Sequence, residues 1–480
     1  MLWDYGQICK RPLAKETENI RKREEKAMKK VPFSAVKLIN TLLVMVPFVF
    51  VWFWYYEPAT MTANSKQVSV LALLLYATTF YLFCKKLDGF RVSIRRIGEM
   101  IFSQIIATGV TNVGAVVIIW MLSIRFPNLL PGIICYLVQC VVIVAVVMLS
   151  DFVFFKSHPP KKAVVIYDLR QGLENLVSAY GLEKRYVVQA SYPIEDVLSD
   201  LSVIDQAEDV FLCGIHSHDR NIVLKYCIAN GKRVFMIPRV GDVVMSSAAQ
   251  MHMFHLPFLR ATRYNPSLEY RVLKRLMDML ISGVALVLLS PVMLVVALMV
   301  KSDGGPVFYK QVRLTKDGRA FEILKFRSMC VDAEKYSGAV LSAGTHDPRI
   351  TKVGRVIRAC RLDELPQLIN IFKGDMALVG PRPERPEIAA EIEKELPEFA
   401  LRLQCKAGLT GYAQVYGKYN TTPYDKLLMD LMYIAHPTLL EDLTIILATV
   451  QILFSKESTE GVGEESTELK YEERNKSAVG

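Results

Sequence analysis

The sequence predicts an α-helical membrane bundle, then an α/β Rossmann-like domain, then a mainly α domain that carries a re-entrant membrane helix. Three observations lead there. Four apolar stretches at 35–56, 67–84, 101–124 and 131–155 each lie near the roughly 20 residues a helix needs to cross hydrocarbon. Between 160 and 265, short apolar runs alternate with helix-like segments. From 272 to 456, a fifth apolar stretch leads into sequence dense in arginine, lysine and paired acids.

Composition sets the outer bounds. At 480 residues the chain is too long for one core, so several units are expected. It is 52% hydrophobic yet carries a formal charge of +10. That pairing fits a membrane protein with basic cytoplasmic surfaces and argues against a nucleic-acid binder, which would need less apolar sequence. The nine cysteines form no Cys-x-x-Cys pair, and Cys84, Cys135 and Cys140 sit in apolar segments. Small buried hydrophobes in a reducing compartment are the expectation. Residues 1–34 read as a basic cytoplasmic tail, with no cleavable signal peptide expected among polar residues such as RKREEKAMKK.

Basic flanks orient the four spans of 35–156. The tail before the first is rich in Lys and Arg, and the second connection holds Lys85, Lys86, Arg91, Arg95 and Arg96. The first connection offers Lys66, the third Arg125, and after the fourth come Lys156, Lys161 and Lys162. By the positive-inside rule both ends of the bundle face the cytoplasm. No ionisable residue falls in the middle of a span, so an anchor or dimerisation platform is expected rather than an ion pathway.

In the α/β segment the runs AVVIY, RYVVQA, DVFLCG and RVFMIP read as strands. After the first, a dinucleotide-binding domain would carry GxGxxG, whereas this chain has DLRQG, so no NAD binding is predicted. His216, His218, His252 and His255 are expected to be surface or loop histidines, because nothing completes a coordination set. A structural or regulatory role is expected for this part.

The fifth apolar stretch, 276–300, is long enough to be an ordinary span. Both of its flanks, however, are basic: Lys274 and Arg275 before, Lys301, Lys310 and Arg313 after. Ser290-Pro291 lies in its middle, where proline removes a donor and crowds the carbonyl of Val287. A helix–break–helix over about 275–301 that enters and leaves by one leaflet accounts for all of this; a kinked span accounts for the proline alone.

Beyond it, GPVFYKQVRLTKDGRAFEILKFRSM reads as a hairpin-like piece turning at KDG and leading to Lys325 and Arg327. VGRVIRACRLDELPQL reads as a basic helix followed by a second helix start. There Asp363 is placed either to cap the helix, with Pro366 in its first turn, or to do chemistry. Adjacent Asp363 and Glu364, with Arg358 and Arg361 on the approach to a helix start and GDMALVGPRP following, suit an anionic substrate with a bridging metal. Mg²⁺ takes one or two carboxylates plus substrate phosphates, so it is the expected ion. The helices YDKLLMDLMYIAH and PTLLEDLTIILATVQILFSK fit core packing or membrane contact equally, and Asp430 fits a function or a satisfied helix-surface acid. Residues 457–480, rich in Glu, Ser and Gly, read as a disordered tail.

In order along 272–456 stand KRLMDMLIS, LLSP, GPVFYKQVR, LKFRSM, LDELPQL, KGDMALVGPRP, GLTGYAQV and LMDLMYI. This block resembles the bacterial polyprenyl-phosphate sugar-1-phosphate transferases, or monotopic phosphoglycosyl transferases. The bundle and α/β part resemble the long members of that family, which start capsule, exopolysaccharide or O-antigen repeat units. The resemblance implies a catalytic domain with a re-entrant helix in the bacterial inner membrane on its cytoplasmic face, Mg²⁺, a UDP-sugar donor and undecaprenyl phosphate as acceptor. By position, Asp363 matches the nucleophile and Glu364 its metal-binding partner. Lys325 matches the basic residue beside the donor phosphates, Arg358 the arginine at the lipid-phosphate side, and Pro381, Arg382 and Pro383 the segment near the uridine. Ser290 and Pro291 match the helix break. Ala377 stands where Ser is usual, Ala407 where Pro is usual, and Tyr416 and Lys418 where Asn and Arg are common. The last two fall where sugar or acceptor contacts are expected, so the identity of the sugar is open.

The implied chemistry is self-consistent. A phosphate monoester acceptor, with a second pKa of about 6, is already largely a dianion near neutral pH and needs no general base. That favours Asp363 as nucleophile over a proton-removing role. Two rivals stay open: a non-catalytic membrane scaffold that senses nucleotide-sugar, and a direct-displacement transferase without a covalent state. The long N-terminal half leaves room for a homodimer.

Overall fold

The computed structural model describes residues 33–453 apart from 60–64, 93–96, 124, 169, 174, 176, 178–181, 332–348 and 418–420, together with 470–471. The basic tail before residue 33 and Lys418 therefore lie outside the described residues. Of the acidic C-terminal stretch, Lys470–Tyr471 pair antiparallel with Arg170–Gln171. Two compact units divide the chain. One comprises Met1–Ile166, Leu173–Phe211 and Asn221–Val234; the other comprises Tyr167–Gly172, Leu212–Arg220 and Phe235–Gly480.

Helices α1 (Phe33–Val51, continued by a π turn Trp52–Tyr56), α2 (Ser65–Lys86), α3 (Ile97–Ser123) and α4 (Leu130–Ser157) form the bundle of the first unit. All four are long and apolar enough to cross a membrane, as is one later helix. The expected spans match them to within a few residues. α1 and α3 both pack along α4. The core holds Phe48 stacked on Tyr76 at 3.9 Å, with Trp52 and Ile119 buried. Hydrophobic burial does not drive helix association inside lipid, so polar contacts and close packing must choose the register. Here Gln139 Nε2 donates to the Val44 carbonyl at 3.1 Å and to the Tyr76 hydroxyl at 2.8 Å. Asn112 Nδ2 donates to Gln139 Oε1 at 2.9 Å, and the Tyr76 hydroxyl donates to Asn112 Oδ1 at 2.8 Å. One uncharged network thereby joins all four helices.

The α/β segment carries β1 (Lys161–Tyr167), β2 (Tyr186–Pro193), β3 (Asp209–Cys213) and β4 (Arg233–Met236), in the sheet order β2-β1-β3-β4. Starts pair with starts, as in Glu208 N to Lys162 O, and ends with ends, as in Asp168 N to Cys213 O, so the strands run parallel. These are the four runs the sequence marked. His216, His218, His252 and His255 are exposed, and the described residues contain no group of three or more His, Cys, Asp or Glu fit for a metal. Helix α7 (Val240–Ser246), which follows α5 (Ile194–Ser199) and α6 (Ser217–Ala229), buries Val243 in the core of the second unit. Packing thus changes earlier than the composition break near 265.

After the hairpin β5–β6 (Ala249–Met253, Leu256–Arg260) comes α8 (Leu268–Ser302). It stays helical through Ser290 and Pro291. The physical reason is local. The Val287 carbonyl, deprived of a donor at Pro291, accepts from Ser290 Oγ at 2.8 Å. One face of α8 packs on the second unit while Leu280, Val287, Leu288, Leu294 and Leu298 stay exposed. Its N-terminal flank is bolted down by Arg275, which donates to the carbonyls of Ile371 and Phe372, both at 2.7 Å. At its other end Arg327 donates to the Val300 carbonyl at 3.1 Å.

The rest of the second unit is β7 and β8 (Phe308–Leu314, Ala320–Phe326), α9 (Lys352–Ala359), α10 (Gln367–Lys373), β9 (Ala377–Val379), α11 (Pro386–Glu395), β10 (Gly408–Thr410), α12 (Tyr412–Tyr416), α13 (Pro423–Ala435) and α14 (Leu439–Leu453). β7 and β8 form the expected hairpin, with Asp317 and Gly318 at positive φ in its KDG turn. Its buried residues Phe321 and Ile323 alternate with exposed Ala320 and Glu322, as a half-buried strand requires. They join Leu368, Ile371, Leu378, Phe399, Leu427 and Leu431 in one core.

Candidate functional site

Asp363 and Glu364 lie in a single 3₁₀ turn, Leu362–Glu364, between α9 and α10. Neither this turn nor α10 has a side-chain cap, and the residue at the N-cap of α10 is Pro366. The capping alternative for Asp363 is therefore not met. The turn begins at Arg361, whose φ of 53° lies in the left-handed region. A non-glycine residue there costs roughly 1–2 kcal/mol.

Cations from two other elements converge on Glu364. Lys325, near the end of β8, places Nζ 2.9 Å from Glu364 Oε1, and Arg382 Nη2 is 3.3 Å from the same oxygen. Burial pushes the Glu364 carboxyl up, but the charges of Lys325 and Arg382, the hydrogen bond from Lys325 and the charge of Arg361 together hold it well below the usual carboxylate range. Asp363 goes the other way. Burial raises it despite Lys325, the Glu364 charge adds to the rise, and Arg358 in the last turn of α9 opposes it. Two adjacent acids driven apart in this way are suited to different tasks.

Lys325 reaches Glu364 because β8 is clamped to α10 by a side chain the sequence reading passed over. Buried Asn370 accepts from Leu324 N at 2.9 Å and donates to the Glu322 carbonyl at 2.8 Å, bracketing the strand just before Lys325. Arg382 is fixed differently. The segment Pro381-Arg382-Pro383 has a single backbone N–H, so its carbonyls must hold it. The Pro381 carbonyl accepts from Gly408 N at 2.9 Å, that of Arg382 from Arg402 Nη2 at 3.0 Å, and that of Pro383 from Arg313 Nη1 at 3.1 Å. Glycine is required where this segment meets β10, since a Cβ on Gly380 or Gly408 would overlap the facing backbone.

Arg402 is 2% exposed and would be untenable alone; Asp430, 1% exposed, pairs with it at 2.7 Å. Asp430 is thus not a helix-surface acid but the buried partner of the arginine that holds the Arg382 carbonyl. Arg402 lies in a short 3₁₀ stretch, 397–404, with no periodicity to mark it, and Arg313 stands in the sequence as a basic flank of the fifth apolar stretch and the last residue of GPVFYKQVR. The structure therefore brings together Asp363, Glu364, Lys325, Arg358 and Pro381–Pro383. Ser290 and Pro291 lie apart from them, along α8.

Ala377 and Ala407 turn out to be neighbours: Ala377 N donates to the Ala407 carbonyl at 2.8 Å, and both are buried in the β9–β10 pair. They occupy core positions. Tyr416, by contrast, is exposed at the end of α12, its ring 5.0 Å from Tyr412.

Two carboxylates with Lys325 and Arg382 beside them offer hard oxygen ligands next to cations suited to phosphate. With no third acid completing a ligand group among the described residues, Mg²⁺ would have to complete its shell with substrate oxygens, which is its usual habit. The ionised Glu364 fits that ion.

The profile described as bacterial sugar transferase matches residues 269–456. An uncharacterized sugar transferase of Haemophilus influenzae is 31% identical over 290 residues, covering 56% of this chain and 61% of that protein. A UDP-N-acetylgalactosamine-undecaprenyl-phosphate N-acetylgalactosaminephosphotransferase of Aeromonas hydrophila is 39% identical over 194 residues, 40% of this chain and 45% of its own. This chain therefore spans about half to three-fifths of the length of those two. A UDP-glucose:undecaprenyl-phosphate glucose-1-phosphate transferase of Caulobacter vibrioides is 37% identical over 199 residues, 40% of this chain and 74% of its own length. With the matched region spanning the dyad, Lys325 and the Pro-Arg-Pro segment, the chain belongs to the bacterial sugar transferase family.

Proposed function

We propose that this protein transfers sugar-1-phosphate from a UDP-sugar to undecaprenyl phosphate, through a phosphosugar covalently held on Asp363, with release of UMP. The observation that carries the reading is the geometry of the adjacent acids: Glu364 is held by Lys325 Nζ at 2.9 Å and Arg382 Nη2 at 3.3 Å, with Asp363 raised by burial beside it. The names of the Aeromonas and Caulobacter relatives supply the substrate class.

An Asp363 carboxylate oxygen attacks the β-phosphorus of the donor, forming a P–O bond as the bond to the bridging oxygen of UMP breaks. Its raised affinity for a proton makes it the better nucleophile of the two acids. Lys325 and Arg382 neutralise charge gathering on the phosphates, which is most of what phosphoryl transfer asks of a protein. The lipid phosphate, already largely a dianion, then attacks the same phosphorus and frees Asp363. Glu364 with the donor phosphates would hold Mg²⁺, which supplies further charge neutralisation there.

The re-entrant path of α8 belongs to this reading. Arg275 at one end and Val300 at the other both bind the one catalytic unit, through Ile371, Phe372 and Arg327. A water-facing unit cannot stand on both sides of a hydrocarbon layer about 30 Å thick. In this reading the exposed apolar face between those ends enters one leaflet, and the basic flanks support the cytoplasmic side of an inner membrane.

The test is UMP release from UDP-glucose, UDP-galactose and their N-acetylated forms by purified full-length protein with Mg²⁺. One or more donors should yield UMP, and Asp363→Asn should abolish it. UMP from none of them would favour the nucleotide-sugar-sensing scaffold.

A further inference from the structure

Arg361 stands apart among the cations around the dyad. Lys325 and Arg382 are engaged by Glu364, while the Arg361 guanidinium makes no hydrogen bond or ion pair among the described residues. Its backbone is the odd feature. Helix α9 ends at Ala359, and two residues on the chain turns through the left-handed region, where helix ends usually place glycine or asparagine. This chain keeps an arginine there, two residues before Asp363, and the turn it forms is tied on both sides. Arg361 N donates to the Arg358 carbonyl at 3.0 Å, and the Arg361 carbonyl accepts from Glu364 N at 3.3 Å. The charge is close enough to act on Glu364. A strained conformation retained beside the dyad points to work done by the side chain.

We infer that Arg361 is a ligand for a substrate phosphate, offering its unengaged guanidinium fork to a phosphate oxygen of the donor or of the lipid acceptor beside Asp363. Guanidinium matches phosphate by two parallel N–H donors, and the left-handed turn keeps this charge two residues before Asp363 at the expense of the fold. The inference rests on the transferase reading and adds to it a residue that the family resemblance did not assign.

Arg361→Gly separates the two consequences, because glycine suits the backbone and removes the charge. The full-length variant should melt at or above the wild-type temperature. It should also lose on the order of tenfold either in the UMP burst without acceptor or in KM for undecaprenyl phosphate. A slower burst assigns Arg361 to the donor; a raised acceptor KM with a normal burst assigns it to the lipid phosphate. Arg361→Lys should recover part of the loss. A glycine variant equal to wild type in both arms overturns the inference, as does a loss that tracks a lowered melting temperature and is not relieved by lysine. Should wild-type protein itself release no UMP, the transferase reading falls and takes this inference with it.

Discussion

The bundle and the catalytic unit bury polar groups by different means. In the bundle, Gln139, Tyr76, Asn112 and the Val44 carbonyl form an uncharged network. The catalytic unit adds ions to neutral groups such as Asn370: buried Arg402 pairs with Asp430 at 2.7 Å, and half-buried Lys274 with buried Asp442 at 2.9 Å, the latter also accepting from the Tyr433 hydroxyl at 2.7 Å. Neutral amides in lipid fix which helix faces which at small electrostatic cost. Buried ions cost far more and are kept where a backbone group must be held without play, as Arg402 holds the Arg382 carbonyl. The difference teaches that neutral groups suffice to set helix register in the bundle, while the second unit adds buried charge to hold backbone beside the dyad.

The comparison breaks most visibly at Asp363. Asp363→Asn should cut UMP release by about a thousandfold or more, measured with any donor the wild type accepts. Next comes the buried support. Arg402→Met leaves Asp430 buried and uncompensated, so unfolding stability should fall by roughly 3–5 kcal/mol in denaturant titrations. Pairing it with Asp430→Leu should restore much of that stability but not activity, since the Arg382 carbonyl still lacks its donor. A double variant with full activity would mean that the ions serve folding alone.

The pH profile sharpens the roles within the dyad. Asp363 is raised, so its reactive carboxylate is lost as pH falls through a value above the ordinary 3.9 or so. Glu364, held low, stays charged throughout that range. The profile of kcat/KM should therefore show one acidic limb, centred above the ordinary aspartate value, and a flat region beyond it. The smallest effect belongs to the bundle. Gln139→Leu should cost about 1 kcal/mol of helix association, read by thermal unfolding in detergent, and leave UMP release per folded molecule unchanged. A large catalytic loss there would erase the contrast between the units.

How much of this was legible beforehand depended on whether local pattern or distant contact carried it. The four spans and the strands of the α/β segment announce themselves by hydropathy and alternation, and they appear where expected. The dyad, Lys325, Arg358 and the Pro-Arg-Pro segment were legible as motifs. Their supports were not. Asn370, Arg402 and Arg313 act through partners 20 to 70 residues away, as in Arg402 to the Arg382 carbonyl and Arg313 to that of Pro383, and no local spacing encodes such pairs. At Ser290-Pro291 the helical pattern of α8 continues, because Ser290, one residue earlier, supplies a hydrogen bond to the carbonyl that the proline leaves without its donor.

Mass spectrometry of full-length protein treated with a UDP-sugar in the absence of lipid acceptor is the most direct test of the central claim. A sugar-phosphate adduct mapping to Asp363, absent in Asp363→Asn and discharged when undecaprenyl phosphate is added, is the predicted result. Steady formation of lipid-linked product with Asp363 never modified would contradict it.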